Sequence, residues 1–155
     1  MKKFGFLLIA ITISLSVHAQ YQKQWRISQG YDFRFQPGFF AMNISGEYFP
    51  VHYLSVSPSV SVYLPATGKA TGVNLDARYY LTEKKYQWYA SSGYGYYKRV
   101  FELSENPPVN LHTFNVGTGL QWKLLDQLGL NPEIQRQFGQ RSTWTVKLGI
   151  VYFIN

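Results

Sequence analysis

The stretch that decides the fold runs from Leu54 to Leu64 and reads LSVSPSVSVYL. Large apolar residues such as Val56, Val60 and Val62 occupy its even positions, and serines occupy most of the odd ones. Successive side chains of a β-strand point to opposite faces, so a two-residue period predicts a strand with one apolar and one polar face. What lies against each face then decides the class of protein.

Seven further windows of about ten residues repeat this alternation. Together with the first they predict eight strands, at 25–35, 39–49, 54–64, 73–81, 88–100, 112–124, 130–138 and 143–154. Pro58 and Pro132 lie inside two of the windows and predict bulges, because proline removes a ladder donor. The chain after its first segment lacks the i, i+3, i+4, i+7 apolar spacing of a long helix. Eight strands without helices predict a closed antiparallel barrel or a sandwich.

The composition limits the classes of protein that fit. The chain has 155 residues, of which 46% are hydrophobic, 18% aromatic and only 15% charged, with no cysteine and a formal charge of +7. This length supports one domain, and the aromatic content excludes intrinsic disorder. Without cysteine there is no disulfide, thiol nucleophile or cysteine-ligated metal. The basic excess is spread along the chain and does not favour nucleic-acid binding.

The first nineteen residues predict a secretory signal peptide. Lys2 and Lys3 precede a short apolar run, and Val17-His18-Ala19 places small residues where a signal peptidase cuts. The apolar run is shorter than the roughly 20 residues of a membrane-spanning helix. We therefore expect residues 1–19 to be removed and residues 20–155 to form the barrel domain.

Alternation alone does not say which face points inward, because a soluble lipocalin-like barrel and a membrane barrel share it. The polar face here consists mainly of Ser, Gly, Asn, Thr and Gln, which suit a crowded lumen better than a water-facing surface. Aromatic residues gather near both ends of the strands, as at the two interfaces of a membrane. One predicted girdle contains Trp25, Tyr48, Tyr79, Trp88, Trp122 and Tyr152, and the other Phe35, Phe40, Tyr96, Phe114, Phe138 and Trp144. We therefore predict an all-β, eight-stranded, antiparallel, up-and-down transmembrane β-barrel.

The connections predict the orientation of this barrel. Those at 50–52, 82–87 and 125–129 are short, whereas those at 65–71 and 102–111 are longer and rich in Gly, Pro or Asn. Outer-membrane barrels have short periplasmic turns and longer external loops. This pattern predicts that both termini lie on the periplasmic side.

The pattern resembles the small eight-stranded outer-membrane barrels of the OmpA/OmpX type. The last strand is similar to their C-terminal assembly signal, with Lys147, Gly149, Tyr152 and Ile154 at the pattern positions. The resemblance implies recognition by the barrel-assembly machinery, a location in the cell outer membrane, and contact with outer-membrane lipid and lipopolysaccharide. We expect a monomer.

Six charged residues fall on the polar face of a barrel too narrow for an aqueous channel. A buried charge must be paired, since its desolvation costs several kcal/mol. We therefore predict an interior ionic network of Arg26, Glu47, Asp76, Arg78, Glu133 and Lys147. A proton or ion path is the alternative for the same residues.

Candidate catalytic residues are few. Once the signal peptide is removed, His52 and His112 remain, and the predicted topology places them at opposite rims, where they cannot share a metal or act together as catalytic base. Some barrels of this kind modify lipid A with His and Ser, but no compact His-x-Ser arrangement is present. We predict no cofactor, no metal site and no enzymatic activity.

The predicted function is therefore a non-enzymatic outer-membrane protein with a structural or surface-interaction role. The alternative is transport or binding of a small hydrophobic ligand through a lateral opening, which would need apolar inward residues, most plausibly on strands five and seven. A soluble secreted ligand-binding barrel is a third possibility. Four cations near the external rim either contact lipopolysaccharide phosphates or are simply solvated: Lys69, Lys98, Arg99 and Arg141.

Overall fold

The computed structural model describes residues 23–36, 38–101 and 107–154, so the predicted signal peptide lies outside the described residues. These residues contain no helix long and apolar enough to cross a bilayer. The strands are β1 (Trp25–Arg34), β2 (Phe39–Val51), β3 (Leu54–Tyr63), β4 (Lys69–Tyr80), β5 (Tyr86–Val100), β6 (Val109–Lys123), β7 (Leu128–Gly139) and β8 (Thr143–Ile154). Each is antiparallel to the next, and β1 pairs with β8 to close the barrel. The predicted eight-stranded antiparallel barrel is confirmed.

The two ends of the barrel differ in their connections. We call the end with the β2–β3, β4–β5 and β6–β7 connections the turn rim, and the opposite end the loop rim. The predicted loop at 65–71 is wrong in its second half, because β4 already begins at Lys69. Ala70 and Gly72 continue the inward face of that strand, but such small residues give no apolar signal in the sequence.

The predicted bulges at the two strand prolines are also wrong. Some residue pairs next to each proline are missing from the ladder, as expected where proline provides no N–H donor. The register is nevertheless the same before and after each proline. The preserved pairs are Ser45–Ser59 and Tyr48–Val56 around Pro58, and Gly119–Glu133 and Trp122–Leu130 around Pro132. The shift in the β2–β3 ladder lies between Tyr48 and Val51, at the turn rim.

The two faces of the wall have the polarity predicted for a membrane barrel. Val56, Val60 and Leu148 point outward and are 37%, 49% and 56% exposed. The four serines of β3 point inward and are at most 6% exposed: Ser55, Ser57, Ser59 and Ser61. Apolar area is thus left on the outside, where only an apolar surrounding makes it favourable.

Aromatic side chains meet on the outer face near both rims. Near the turn rim the ring centroids of Trp25 and Tyr48 lie 4.6 Å apart. Near the loop rim the ring centroids of Phe40 and Phe33, which the predicted girdle did not include, lie 4.8 Å apart. These contacts connect neighbouring strands at the levels where the two girdles were predicted.

The strands are strongly staggered. A path from Trp25 that follows register partners around the barrel passes through Tyr48, Val56, Ala77, Ser92, Val116 and Arg136 to Trp144. The carbonyl of Trp144 accepts a hydrogen bond from the backbone N–H of Phe35, just past the end of β1. One turn around the barrel along paired residues therefore leads from Trp25 to Phe35. The displacement along the chain is 10 residues, equal to the length of β1. Such a stagger requires strands tilted by roughly 35–45°, and eight of them leave room only for side chains.

Candidate functional site

The lumen contains all six residues of the predicted ionic network, each at most 8% exposed: Arg26, Glu47, Asp76, Arg78, Glu133 and Lys147. Nη2 of Arg78 donates a hydrogen bond to Oε2 of Glu133 at 2.7 Å, and Nη1 of Arg78 lies 3.6 Å from Oε2 of Glu47. Nζ of Lys147 lies 3.9 Å from Asp76 and 3.8 Å from Glu133. Five of the six charges thus form one connected group.

Arg26 joins this group indirectly. Its guanidinium donates to the side-chain carbonyls of Gln24 and Gln121, and Nε2 of Gln121 donates to Glu47 at 2.8 Å. The guanidinium carbon of Arg26 also lies 4.3 Å from the ring centroid of Phe49. A neutral glutamine therefore connects the sixth charge to the network.

Inward-facing tyrosines complete the network, and the sequence analysis did not include them. The hydroxyl of Tyr80 donates to Glu47 at 2.7 Å, and that of Tyr89 donates to Glu133 at 2.8 Å. Alternation placed Tyr80 on the polar face but did not show what it contacts. Gly119 faces Tyr89 across the β5–β6 pair, where a Cβ would overlap the phenol ring. The glycine thus makes room for a large inward neighbour.

Asp32 was placed on the polar face but outside the predicted network. Its Oδ2 accepts hydrogen bonds from Ser61 at 2.6 Å and from Asn43 at 3.2 Å. It lies nearer the loop rim than the carboxylates that contact Arg78. Acidic groups are therefore spread over more of the lumen than predicted.

Apolar layers lie at both ends of the polar lumen. At the turn rim, Phe49, Tyr80 and Tyr89 form a buried cluster. At the loop rim a second cluster consists of Ala41, Tyr63, Ala70, Tyr97 and Leu111. The ionic network is thus enclosed along the barrel axis as well as by the wall.

The space left between these side chains is small. The cavity bordered by Asp32, Arg78, Glu133 and Lys147 has a volume of about 10 Å³, close to the minimum that one water molecule needs. The inward residues of β5 and β7 are polar, glycine or tyrosine, with Arg99 at the loop rim. The apolar inward cavity required by the hydrophobic-ligand alternative is not found on these strands.

The two histidines lie far from the network and from each other. Nε2 of His52, in the β2–β3 turn, lies 2.7 Å from Oε1 of Glu83 at the turn rim. His112 points outward near the loop rim and contacts the hydroxyl of Tyr94. In the described parts of the chain, no group of three or more His, Asp or Glu residues is arranged to hold a metal ion.

The cations near the loop rim divide into two sets. Lys69 and Lys98 point outward, as does Arg136, which the sequence analysis did not single out. Arg99 instead faces the lumen, as does Arg34 on β1. The predicted rim group therefore does not form a single surface.

Arg136 lies in a cleft on the outer wall. Its guanidinium carbon is 5.3 Å from the ring centroid of Trp144 and 5.9 Å from that of Phe138. The cleft has a volume of about 430 Å³, with Phe35 and Ile134 among its walls. A positive charge thus sits between apolar walls at the level of the aromatic girdle.

The residues of the proposed assembly signal point to both faces of β8. Tyr152 and Ile154 point outward and are 45% and 40% exposed, whereas Lys147 points into the lumen. Gly149 pairs with Gly30 of β1 at the seam that closes the barrel. Recognition by the assembly machinery remains a prediction.

No protein-family model and no curated protein matches this chain. Several solved structures are similar to it. The chain is similar to the N-terminal β-barrel domain of Pseudomonas aeruginosa OprF, with a TM-score of 0.77 and 19% identity over 87% of this chain and all of that domain. It is similar to a de novo designed transmembrane β-barrel, with a TM-score of 0.67 and 12% identity over 88% of this chain and all of the design.

A third similar structure is Ail, the attachment invasion locus protein of Yersinia pestis, with a TM-score of 0.62 and 16% identity over 86% of this chain and 99% of Ail. At these identities the likeness concerns the fold and not the activity. The resemblance inferred from alternation is confirmed at that level: the chain has the fold of the small eight-stranded outer-membrane barrels.

Proposed function

We propose that this protein is a non-enzymatic outer-membrane barrel with a structural or surface-interaction role in the cell envelope. The observation that carries the proposal is the combination of an apolar outer wall with a lumen filled by an ionic network between two apolar layers. Such a barrel anchors its chain and presents its loop rim to the outside, but it gives solutes no path. The separation of the two histidines supports the absence of catalysis.

The location is supported by two independent features. The outward apolar band lies between aromatic girdles, as in barrels of the outer membrane. Ail, which shares the fold, is an outer-membrane protein of Yersinia pestis. The predicted signal peptide at 1–19 agrees with export across the inner membrane.

The partners we propose are outer-membrane lipid and lipopolysaccharide on the wall, and the barrel-assembly machinery during biogenesis. The cleft around Arg136 suits a lipid phosphate with its acyl chain, because a guanidinium binds phosphate well and the walls are apolar. Arg136→Gln should weaken lipopolysaccharide binding in nanodiscs severalfold. Lys84→Gln, at the turn rim, removes the same charge and should leave binding unchanged. Equal binding by both variants would remove this part of the proposal.

The proposed function is tested by fractionation followed by conductance. The protein should be recovered in the outer membrane and should migrate differently before and after boiling, as a closed barrel does. Reconstituted in planar bilayers, it should produce no conductance steps, and it should not raise small-solute uptake in vesicles. Recovery in the soluble periplasmic fraction, or regular channel steps, would contradict the proposal.

A further inference from the structure

Near the loop rim, two guanidinium nitrogens of one buried arginine have no hydrogen-bond partner among the described residues. Arg34 is 1% exposed, and neither its Nε nor its Nη2 makes a hydrogen bond. Its guanidinium carbon lies 4.4 Å from the ring centroid of Tyr97, whose hydroxyl is buried and also makes no hydrogen bond. A buried cation without a counter-charge is unfavourable by several kcal/mol. This arrangement leaves a charge to be compensated.

Two further arginines lie above it. Arg99 is held between Phe39 and Phe101, with its guanidinium carbon 4.9 Å and 4.5 Å from their ring centroids. Its Nε makes no hydrogen bond. Arg141 is exposed in the β7–β8 connection, at the same rim. We call Arg34, Arg99, Arg141 and the Tyr97 hydroxyl the mouth cluster.

None of the described carboxylates forms an ion pair with the mouth cluster. Glu47 and Glu133 contact Arg78, and Asp76 contacts Lys147. Asp32, two residues before Arg34, accepts hydrogen bonds at Oδ2 from Ser61 and Asn43, and its Oδ1 accepts none. The guanidinium groups at the mouth therefore have no direct carboxylate partner among the described residues.

We propose that the mouth cluster binds an oxyanion, the phosphate or sulfate group of an anionic saccharide at the cell surface. Guanidinium groups bind such oxyanions through paired N–H donors, and contact with aromatic faces holds them in place. The anion is held by Arg99, Arg141 and the Tyr97 hydroxyl, while the buried charge of Arg34 attracts it from below. The site depends on the barrel fold and not on the proposed location in the envelope.

The test is calorimetric titration of the full-length protein, folded in detergent at about 0.15 M salt, with inositol hexakisphosphate. Wild type should bind. Arg34→Gln and Arg99→Gln should each weaken binding by about tenfold or more, the first because an attracting charge is lost and the second because a guanidinium contact to the oxyanion is lost. The matched control is Lys84→Gln, which removes one positive charge at the turn rim, and it should stay within about twofold of wild type.

Folding is checked separately by heat-modifiable gel mobility, because Arg34 is buried. Arg34→Lys keeps the positive charge but lacks the planar guanidinium group. It should bind inositol hexakisphosphate more weakly than wild type and more tightly than Arg34→Gln. Arg99→Gln tests the site even if the Arg34 variants do not fold. No binding by wild type, or equal weakening by Lys84→Gln, would overturn the inference.

The source of the anion is identified by competition. Displacement of inositol hexakisphosphate by purified lipopolysaccharide would assign the site to the phosphates of the surrounding envelope. Displacement by a soluble sulfated saccharide, but not by lipopolysaccharide, would assign it to an external polyanion. Either result supports an oxyanion site. Failure of both to compete would contradict a saccharide ligand.

Discussion

The Nη2 atom of Arg78 on β4 donates a hydrogen bond to Oε2 of Glu133 on β7, 2.7 Å away across the lumen. These two strands share no ladder. The ion pair therefore connects walls that the backbone does not join directly. Because both side chains are buried, removing Arg78 leaves Glu133 without its hydrogen-bonded counter-charge, with Lys147 3.8 Å away as the remaining one.

Arg78→Met should lower the thermal stability of the folded barrel in detergent. Loss of one partner from a buried ion pair costs about 3–5 kcal/mol, since the remaining charge stays desolvated. The measurement is the temperature at which the fast-migrating folded band disappears on a gel. The double variant Arg78→Met/Glu133→Gln should recover part of the loss, because only one of the two carboxylates that contact Arg78, Glu47, is then left without it.

The control for this prediction is Lys98→Met, which removes a positive charge from the outer face and should leave the transition nearly unchanged. If Arg78→Met melts at the wild-type temperature, the luminal network does not stabilise the barrel.

Gly30→Ala should destabilise the seam between β1 and β8. An added Cβ would overlap the backbone carbonyl oxygen of Leu148, and backbone atoms of a paired strand cannot move aside without breaking the ladder. We expect a loss of roughly 1–3 kcal/mol, as for other overpacked positions. Unfolding in urea, followed by tryptophan fluorescence, measures it.

Gly46→Ala is the matched control, because nothing lies within 4 Å of a Cβ at that position. It should be neutral or slightly stabilising, since alanine restricts the unfolded chain. Equal effects of the two substitutions would show that the close approach at Gly30 is unimportant.

The strand pattern was predictable because a two-residue period assigns every side chain to a face. It separated Val60 from Ser59 correctly, and it placed Arg78 and Glu133 on the same face although they are 55 residues apart. What it could not show is which inward residues meet. That depends on the stagger of the whole barrel, which no single strand encodes.

Other features escaped prediction for local reasons. Tyr89 and Phe49 point inward although aromatic residues elsewhere in the chain mark the outer girdles, so residue type alone is ambiguous. The start of β4 was missed because Ala70 and Gly72 are too small to show alternation. Arg34 was placed on the polar face, but its lack of a partner is a property of the assembled lumen.

Tyr152→Ser should reduce assembly of the barrel in cells more than Ile150→Ser does. Both residues point outward from β8, and Ile150 is the more exposed of the two, at 59% against 45%. A defect caused only by lost lipid contact should therefore be no smaller in the Ile150 variant. The measurement is the fraction of heat-modifiable protein in the membrane. A larger defect in Ile150→Ser would argue against the proposed assembly signal.

The most direct test uses the absence of cysteine from the chain, which makes single-cysteine variants unambiguous. Val60→Cys and Ser59→Cys, each refolded into bilayers before any modification, place the thiol on opposite faces of β3. A lipid-soluble maleimide should modify the thiol at position 60 rapidly and the thiol at position 59 slowly. Rapid modification at position 59 with none at position 60 would mean that the serines face lipid and the valines face the lumen, which contradicts the inside-out barrel.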